Sequence, residues 1–142
     1  MPATDDPFGL SRFVAAQDGA YPQALNELRR GRKTGHWMWF VFPQIAGLGR
    51  SSMAQLYAIS SLDEARAYLR HPVLGPRLIE CASAVATHAR ESATRILGDI
   101  DAIKLRSCMT LFQHADPSEP VFGRVLELFF DGEPDAETLR RL

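Results

Sequence analysis

PRLIECASAVATHA, residues 76–89, is the stretch of this sequence that decides the fold. Its apolar positions recur every three or four residues, at Leu78, Ile79, Ala82, Val85, Ala86 and Ala89. That spacing places them on one face of an α-helix. Pro76 stands at the start of the pattern, where a helix tolerates proline because the first backbone N–H groups have no helical acceptor. The segment therefore predicts a long amphipathic helix with one buried face.

Helical patterns with start and stop signals continue on both sides of this segment. Tyr21 to Arg30 carries an apolar stripe and is followed by Gly31, a residue typical of helix C-termini. Ser61 and Glu64 have the spacing of a capping box. Further helices are predicted after Asp6-Pro7, from Asp99 to His114, after Asp116-Pro117-Ser118-Glu119, and from Pro134 to Leu142.

Strand patterns are almost absent. Only Trp37 to Phe42 has the composition of a buried strand, and no partner strand is evident for it. A lone strand leaves its backbone groups unpaired, so this run is predicted to be a short helix or turn. The expected fold is all-α: a compact single domain, residues 1–142, of about seven short and medium helices.

Composition excludes several classes of protein. The chain has 142 residues, 46% of them hydrophobic and 23% charged, with a formal net charge of −1. This mix is typical of a globular domain, and the charge gives no overall attraction to nucleic acid or to a membrane surface. Cys81 and Cys108 lie in predicted helices, which favours buried thiols in a reducing compartment. With an acidic N-terminus and no long apolar run, the protein is predicted to be cytoplasmic.

The distinctive segment Gly35-His36-Trp37-Met38-Trp39-Phe40-Val41-Phe42-Pro43-Gln44 resembles the bacterial family catalogued as domain of unknown function 1810. Matches continue through Tyr57-Ala58-Ile59-Ser60 to the run Ser107-Cys108-Met109-Thr110-Leu111-Phe112, so the resemblance covers almost the whole chain. It implies an all-helical single domain and no established activity. Some members of the family are labelled calpastatin, but this globular composition has none of the long disordered inhibitory repeats that the label implies.

Residues 29–50 combine cationic and aromatic side chains and include no acidic residue. Cations beside aromatic faces suit an anionic ligand that also stacks, such as a nucleotide. The backbone N–H groups of Gly47-Leu48-Gly49 suit a phosphate, although the spacing matches neither a Walker nor a Rossmann motif. The candidate ligand-binding residues here are Trp37, Trp39, Gln44, Arg50, Ser51 and Tyr57. The alternative is that the large aromatic side chains are ordinary core residues.

Lys104 is the second unusual residue. It lies about 200° of helical rotation from Arg106, on the apolar side of its predicted helix together with Ser107. A lysine on an apolar stripe needs a partner or a cleft. Either its amine is functional, with Ser107 as a neighbouring ligand contact, or it forms a structural ion pair with Asp101, three residues earlier.

His36 completes the set as a candidate for proton transfer, and His36 with Lys104 form the candidate catalytic pair. The alternative for His36 is a hydrogen-bonded structural role. The best-supported function is binding of an anionic, nucleotide-like small molecule, or a metal-independent reaction on it without a cofactor. Two alternatives stay open: a protein-interaction module or homodimer that uses exposed aromatic residues of 37–42, and, with less support, nucleic-acid binding.

Overall fold

A computed structural model describes residues 6–142, and within them it shows ten α-helices and no strand. The helices are α1 (Ser11–Gln17), α2 (Tyr21–Arg30), α3 (Met38–Val41), α4 (Ser52–Leu56), α5 (Leu62–Arg70), α6 (Leu74–Ala86), α7 (Ala93–Leu97), α8 (Asp99–Ala115), α9 (Pro120–Phe130) and α10 (Ala136–Arg140). The all-α prediction is confirmed. The count exceeds the expected number because four of the ten helices, α3, α4, α7 and α10, have only four or five residues.

The centre of the fold is α8, which packs against α5, α7, α9 and α10. Leu105, Cys108, Leu111 and Phe112 point from α8 into the core and are fully buried. The helix of the opening sequence, α6, packs against α2, α5 and α9, as its apolar face predicts. Both cysteines are free and buried, and burial raises the pKa of Cys81 to about 12, so it is not a reactive thiol near neutral pH.

Helix bounds differ from the sequence patterns in several places. α6 begins at Leu74, two residues before Pro76, and ends at Ala86, so Ala89 of the predicted stripe lies beyond the helix and is exposed. α1 begins at Ser11, and Asp6 precedes it by a turn: its carboxylate accepts hydrogen bonds from the backbone N–H groups of Leu10 and Ser11 at 2.7 and 3.0 Å. α9 begins at Pro120, where Glu119 is the N-cap and accepts from Val121 N at 3.1 Å. For α1 and α9 the acid–proline signature marks a turn before the helix, because a proline also fits the turn positions that precede a cap.

Arg12 fixes the loop that leads into α5. Its guanidinium forms an ion pair with the buried Glu64 at 2.9 Å. It also donates to four backbone carbonyl oxygens, those of Phe8, Gly9, Leu56 and Ala58. Ser61 caps α5 as predicted, but the Glu64 carboxylate accepts from Ser60 N at 2.8 Å. The Arg12 guanidinium thereby holds residues 56–58, including Tyr57, against α1.

The predicted helix or turn at Trp37 to Phe42 is α3, a single helical turn. The glycine-rich segment that follows it pairs with a distant residue through one parallel bridge between Ile45 and Ile59. Ala46 N donates to Ile59 O, and Ile59 N donates to Gln44 O, both at 2.8 Å. This pair of bonds sets the spacing between Gln44 and Tyr57. In the part of the chain described here, no helix combines the length and the apolar character needed to cross a membrane.

Candidate functional site

The two tryptophans, Trp37 and Trp39, lie in opposite environments. Trp37 is the N-cap of α3 and is only 3% exposed, whereas Trp39 is half-buried. The neighbouring side chains Met38, Phe40, Val41 and Phe42 are all buried. Of the aromatic run 37–42, Trp39 alone offers its side chain to the surface, because α3 is one turn long and only one of its sides faces outward.

The first hollow lies between Trp39 and Tyr57 and has a volume of about 240 Å³. We call it the Trp39–Tyr57 hollow. Gln44, Gln55, Gly47 and Gly49 also line it. No charged residue lines it within the described range. Its chemistry is therefore that of two aromatic faces and neutral hydrogen-bonding groups, which suits a planar, polar, uncharged group.

The wall between Gly47 and Gln55 is held tightly. Ser51 is the N-cap of α4 and accepts from Ala54 N at 3.1 Å. The Gln55 amide donates to Arg50 O at 3.0 Å. A Cβ on Gly49 would lie 2.4 Å from the Cβ of Ala54, so any side chain there would displace α4. The predicted ligand residue Ser51 thus has a capping role, while Arg50 is exposed beside the hollow.

The second hollow lies on the other side of Trp39, has a volume of about 450 Å³, and is the Trp39–His36 hollow. Lys33, His36, Asp99 and Asp101 line it with Trp39. The sequence segment 29–50 contains no acid, so a cationic site was expected. The fold brings the carboxylates of α8 to it, and the hollow is close to charge balance.

Asp101 joins two lysines across this hollow. Its carboxylate lies 2.8 Å from the Lys33 amine and 3.6 Å from the Lys104 amine. The Lys33 ammonium lies 5.1 Å from the Trp37 ring centroid, and the Lys104 ammonium lies 5.0 Å from the Trp39 ring centroid. Each lysine therefore combines an ion pair with a cation–π contact. Lys104 is not among the residues that line either hollow in the described structure; Lys33 is the amine that shares a hollow with His36.

Glu27 anchors the backbone that carries His36. It is 1% exposed and accepts from Thr34 N, Gly35 N and the Trp37 indole N–H at 2.7, 2.8 and 3.0 Å. Gln23 donates to its other oxygen at 2.7 Å. Burial by itself raises the pKa of Glu27, but the hydrogen bonds from Gly35, Thr34, Gln23 and Trp37 outweigh it and lower the pKa to about 2. Glu27 is therefore a charged, fully bonded structural group.

Two predicted ligand-binding residues have structural roles instead. Trp37 lies in the core, and its indole N–H donates a hydrogen bond to Glu27, so its side chain is not accessible to a ligand. Ser107 is 1% exposed and shares a hydrogen bond of 2.8 Å with Thr138 on α10. Both corrections have the same physical reason: burial of a polar atom requires a partner, and the protein supplies it.

The structure brings the other candidates together around Trp39. Gln44 and Tyr57 line one hollow with it, and His36 lines the other. Sequence reasoning missed Gln55 and Asp99 as neighbours of this site and named Asp101 only as an ion-pair partner of Lys104. The only signal for Asp101 was its spacing of three residues from Lys104, and nothing marked Gln55. No group of His, Cys, Asp or Glu within residues 6–142 has the arrangement of a metal site.

Comparisons with known proteins give a family and a fold. A family model described as "Protein of unknown function (DUF1810)" matches residues 7–142. The chain is also similar to a solved structure, the conserved hypothetical protein Rv1873 from Mycobacterium tuberculosis, with a TM-score of 0.95 and 50% sequence identity over 96% of this chain and 98% of that one. No curated protein matches the chain.

Proposed function

Because this chain belongs to DUF1810, a family of proteins of unknown function, we propose its function from the chemistry of its own side chains: it binds a small nucleotide-like molecule through a planar ring at Trp39. The observation that carries the proposal is the position of the Trp39 indole, which borders both hollows and has the Lys104 ammonium 5.0 Å from its ring centroid. A half-buried tryptophan that borders two hollows offers an incoming ring a large aromatic surface for stacking.

The ring belongs in the Trp39–Tyr57 hollow. A volume of about 240 Å³ is smaller than a drug-sized site and fits a single nucleobase-sized heterocycle. Trp39 and Tyr57 provide aromatic surface for stacking. We assign the polar edge of the ring to the Gln44 amide as donor and acceptor and to the Gln55 amide oxygen as acceptor, because the Gln55 amide nitrogen already donates to Arg50 O. The neutral wall favours an uncharged ring over a carboxylate or phosphate in this position.

The anionic part of the ligand extends toward the cations at the rim. Arg50 follows the glycine turn directly and is exposed, and Lys104 stands over Trp39. The Trp39–His36 hollow contributes little net attraction, because Asp99 and Asp101 oppose Lys33 and Lys104. We therefore expect the ring to provide most of the binding free energy. The charged part of the ligand should contribute less, and its contribution should decrease as the salt concentration rises.

His36 is the group to which we assign proton transfer if the bound ligand reacts. It is exposed at the mouth of the Trp39–His36 hollow and is the one imidazole in that lining among the described residues. Hydrolysis or group transfer without a metal is the reaction class that this set of side chains accommodates. His36→Asn is then expected to abolish turnover while ligand affinity stays within about three-fold, since the imidazole is outside the ring-binding hollow.

Tryptophan fluorescence tests the binding proposal, because the chain has only two tryptophans. Nucleosides and nucleotides, screened to millimolar concentration, should quench the fluorescence of the exposed Trp39. Trp39→Phe should remove the quenching and weaken binding about ten-fold, as loss of base–indole stacking predicts. The matched control, Trp37→Phe, should keep the quenching. If nucleosides, which carry no phosphate group, leave the Trp39 fluorescence unchanged up to millimolar concentration, the proposal is wrong.

A cytoplasmic location accompanies this proposal. Cys81 and Cys108 are free thiols buried in the core, which is the ordinary state of cysteine in a reducing compartment. Fractionation of cells that express the native protein would test it, and recovery outside the cytoplasm would contradict it.

Self-association is the second candidate function, and one observation favours it. Ile100 and Ile103 are 71% and 64% exposed on the first turns of α8, next to the Trp39–His36 hollow. Neighbouring exposed isoleucines are a plausible contact for a second copy of the chain. The aromatic run 37–42, the interface expected from the sequence, offers only Trp39. Sedimentation should show a dimer that Ile103→Glu converts to monomer, and a monomer in the native chain would remove this candidate.

A further inference from the structure

A separate hollow of about 460 Å³ lies between the end of α2, the segment after α6, and α7. We call it the arginine hollow. It is lined by Arg30, Gly31, Arg32, His88, Glu91 and Arg95. None of these residues lines either hollow at Trp39.

Charge in the arginine hollow is strongly one-sided. Its single lining carboxylate, Glu91, is paired with Arg95 at 3.0 Å. Arg30 and Arg32 are exposed, and neither guanidinium has a carboxylate within salt-bridge distance in the described part of the chain. Three guanidinium groups therefore surround one carboxylate. An excess of forked cations around a cavity is the arrangement that oxyanions bind best, because each fork can donate two parallel hydrogen bonds.

The floor of this hollow is rigid. Gly31 has a φ of 75°, the left-handed conformation that ends α2, and a Cβ there would lie 3.0 Å from the His88 Nδ1 atom. The other ring nitrogen, Nε2, lies 2.9 Å from Arg29 O. A carbonyl oxygen can only accept, so His88 Nε2 carries the proton. The His88 ring is thus held close to Gly31 and hydrogen-bonded to the end of α2, and Arg30 and Arg32 flank Gly31 in the sequence.

A backbone hydrogen bond holds the two sides of the arginine hollow together. Lys33 N donates to Ile96 O at 2.8 Å, which fastens the segment after α2 to α7. Arg32 and Arg95 are the residues immediately before this bonded pair in each segment. The backbone positions of Arg32 and Arg95 are consequently fixed relative to each other by this hydrogen bond.

Helix dipoles explain only part of this cluster. Arg30 is in the last turn of α2, where positive charge is favoured in any protein. Arg32 lies beyond the end of that helix, and α7 has five residues and so a weak dipole. A solvated basic surface also does not account for the hydrogen bond that holds the His88 ring at the end of α2 within the same lining.

We propose that the arginine hollow is a binding site for the phosphate group of a small phosphorylated molecule, independent of the site at Trp39. Phosphate is the oxyanion whose double charge matches the excess of two guanidinium groups. Free inorganic phosphate or pyrophosphate and a phosphate monoester share this chemistry. A single-stranded nucleic acid is the competing occupant, and the low net charge of the chain disfavours it.

Calorimetric titration of the full chain with inorganic pyrophosphate at low ionic strength tests the site. The native protein should bind, and Arg32→Gln should weaken binding about ten-fold through loss of one charge-assisted fork. Arg66→Gln is the matched control: it removes one exposed arginine, on α5, and should leave the affinity unchanged. Equal weakening in both variants would show a general charge effect and would overturn the proposal, as would absence of binding to the native chain at millimolar pyrophosphate.

Two further arms separate the alternatives. Trp39→Phe and Lys104→Gln should bind pyrophosphate as the native chain does, and a loss of binding in them would move the anion to Trp39 and overturn the proposal. Glucose 6-phosphate should compete with pyrophosphate if the site accepts monoesters, and inorganic phosphate competing alone would identify a free-phosphate site. An oligothymidylate that binds more tightly than pyrophosphate, with the same sensitivity to Arg32→Gln, would replace the proposal with nucleic-acid binding.

Discussion

Trp37 and Trp39 are two residues apart, each has a lysine ammonium about 5 Å from its ring, and the two lysines share Asp101. Their surroundings are nevertheless opposite. Trp37 is buried against a carboxylate whose acceptor sites are filled, whereas Trp39 borders two hollows. The difference teaches that composition cannot separate a structural tryptophan from a ligand-binding one. The distinguishing feature is whether the protein itself supplies every partner.

The surroundings of Trp37 are held together by Glu27, which accepts hydrogen bonds from its own helix α2 and from the segment 34–37. Two backbone N–H groups, an indole N–H and a glutamine amide all converge on one buried carboxylate. Cooperative networks of this kind strengthen each hydrogen bond but make the loss of any member costly. The Trp39 side has no such centre, and this leaves its surface adaptable. The comparison predicts that substitutions around Trp37 mainly lower the free energy of unfolding, whereas substitutions around Trp39 mainly weaken ligand binding.

Replacing Glu27 should have the largest effect on stability. Glu27→Gln removes the charge and turns one acceptor oxygen into a donor that faces other donors. We expect a loss of about 3 kcal/mol in the free energy of unfolding, measured by urea denaturation. Glu127→Gln, at an exposed position on α9, is the control and should change stability by less than about 0.5 kcal/mol. A loss below about 1 kcal/mol for Glu27→Gln would show that the network is not the anchor.

Acid should reproduce part of this loss in the native protein. The pKa of Glu27 is about 2 in the folded state against an ordinary value of 4.5, so its contribution is complete above pH 4.5 and is lost as pH falls toward 2. Between about pH 5.5 and about pH 3 we expect the native chain to lose about 2 kcal/mol more than Glu27→Gln does. Urea midpoints at the two pH values measure the difference. Parallel loss in both proteins would mean that other carboxylates carry the acid sensitivity.

The two tryptophans themselves give the next test. Trp37→Phe leaves the Glu27 carboxylate short of one donor and removes packed volume, with an expected cost of about 1.5 kcal/mol. Trp39→Phe removes only half-buried surface and should cost about 0.5 kcal/mol. Thermal unfolding of the two variants side by side measures the contrast. Equal costs would remove the structural distinction between the two positions, whatever the outcome of ligand binding.

Most of the fold could be predicted from the sequence because its longer helices have a clear apolar periodicity and recognisable end signals. The apolar stripe and closing Gly31 gave both bounds of α2, and the pattern after Pro76 gave the face that α6 buries. Of the helices of four or five residues, α4 had no predicted counterpart, since a single turn shows no repeat of an apolar pattern. The bridge between Ile45 and Ile59 was also hidden, because it joins two loops through backbone atoms alone.

The site was readable in part. The unusual residues of 35–57 do gather around Trp39, since neighbours in the sequence stay close in space. Two features could not be predicted from the sequence. The burial of Trp37 rather than Trp39 depends on the hydrogen bond to Glu27, and the charge balance of the Trp39–His36 hollow depends on carboxylates from α8. Both are contacts between distant parts of the chain. The ion pair of Lys104 with Asp101 forms as the structural alternative predicted, while Lys104 lines neither hollow in the described residues.

The smallest effects distinguish the two lysines that Asp101 joins. Lys33 has a side chain 9% exposed, lies 2.8 Å from Asp101, and donates to Gly35 O at 2.5 Å, whereas Lys104 is 22% exposed and lies 3.6 Å from the same carboxylate. Lys33→Gln should therefore cost about 1 kcal/mol and Lys104→Gln at most about 0.5 kcal/mol. Raising the salt concentration should shrink the Lys104 contribution first, because its ion pair is the more accessible to water. Urea denaturation at low and high salt measures both. If Lys104→Gln is the more destabilising, the amine above Trp39 serves the fold, and the ligand proposed for that ring loses its nearest cation.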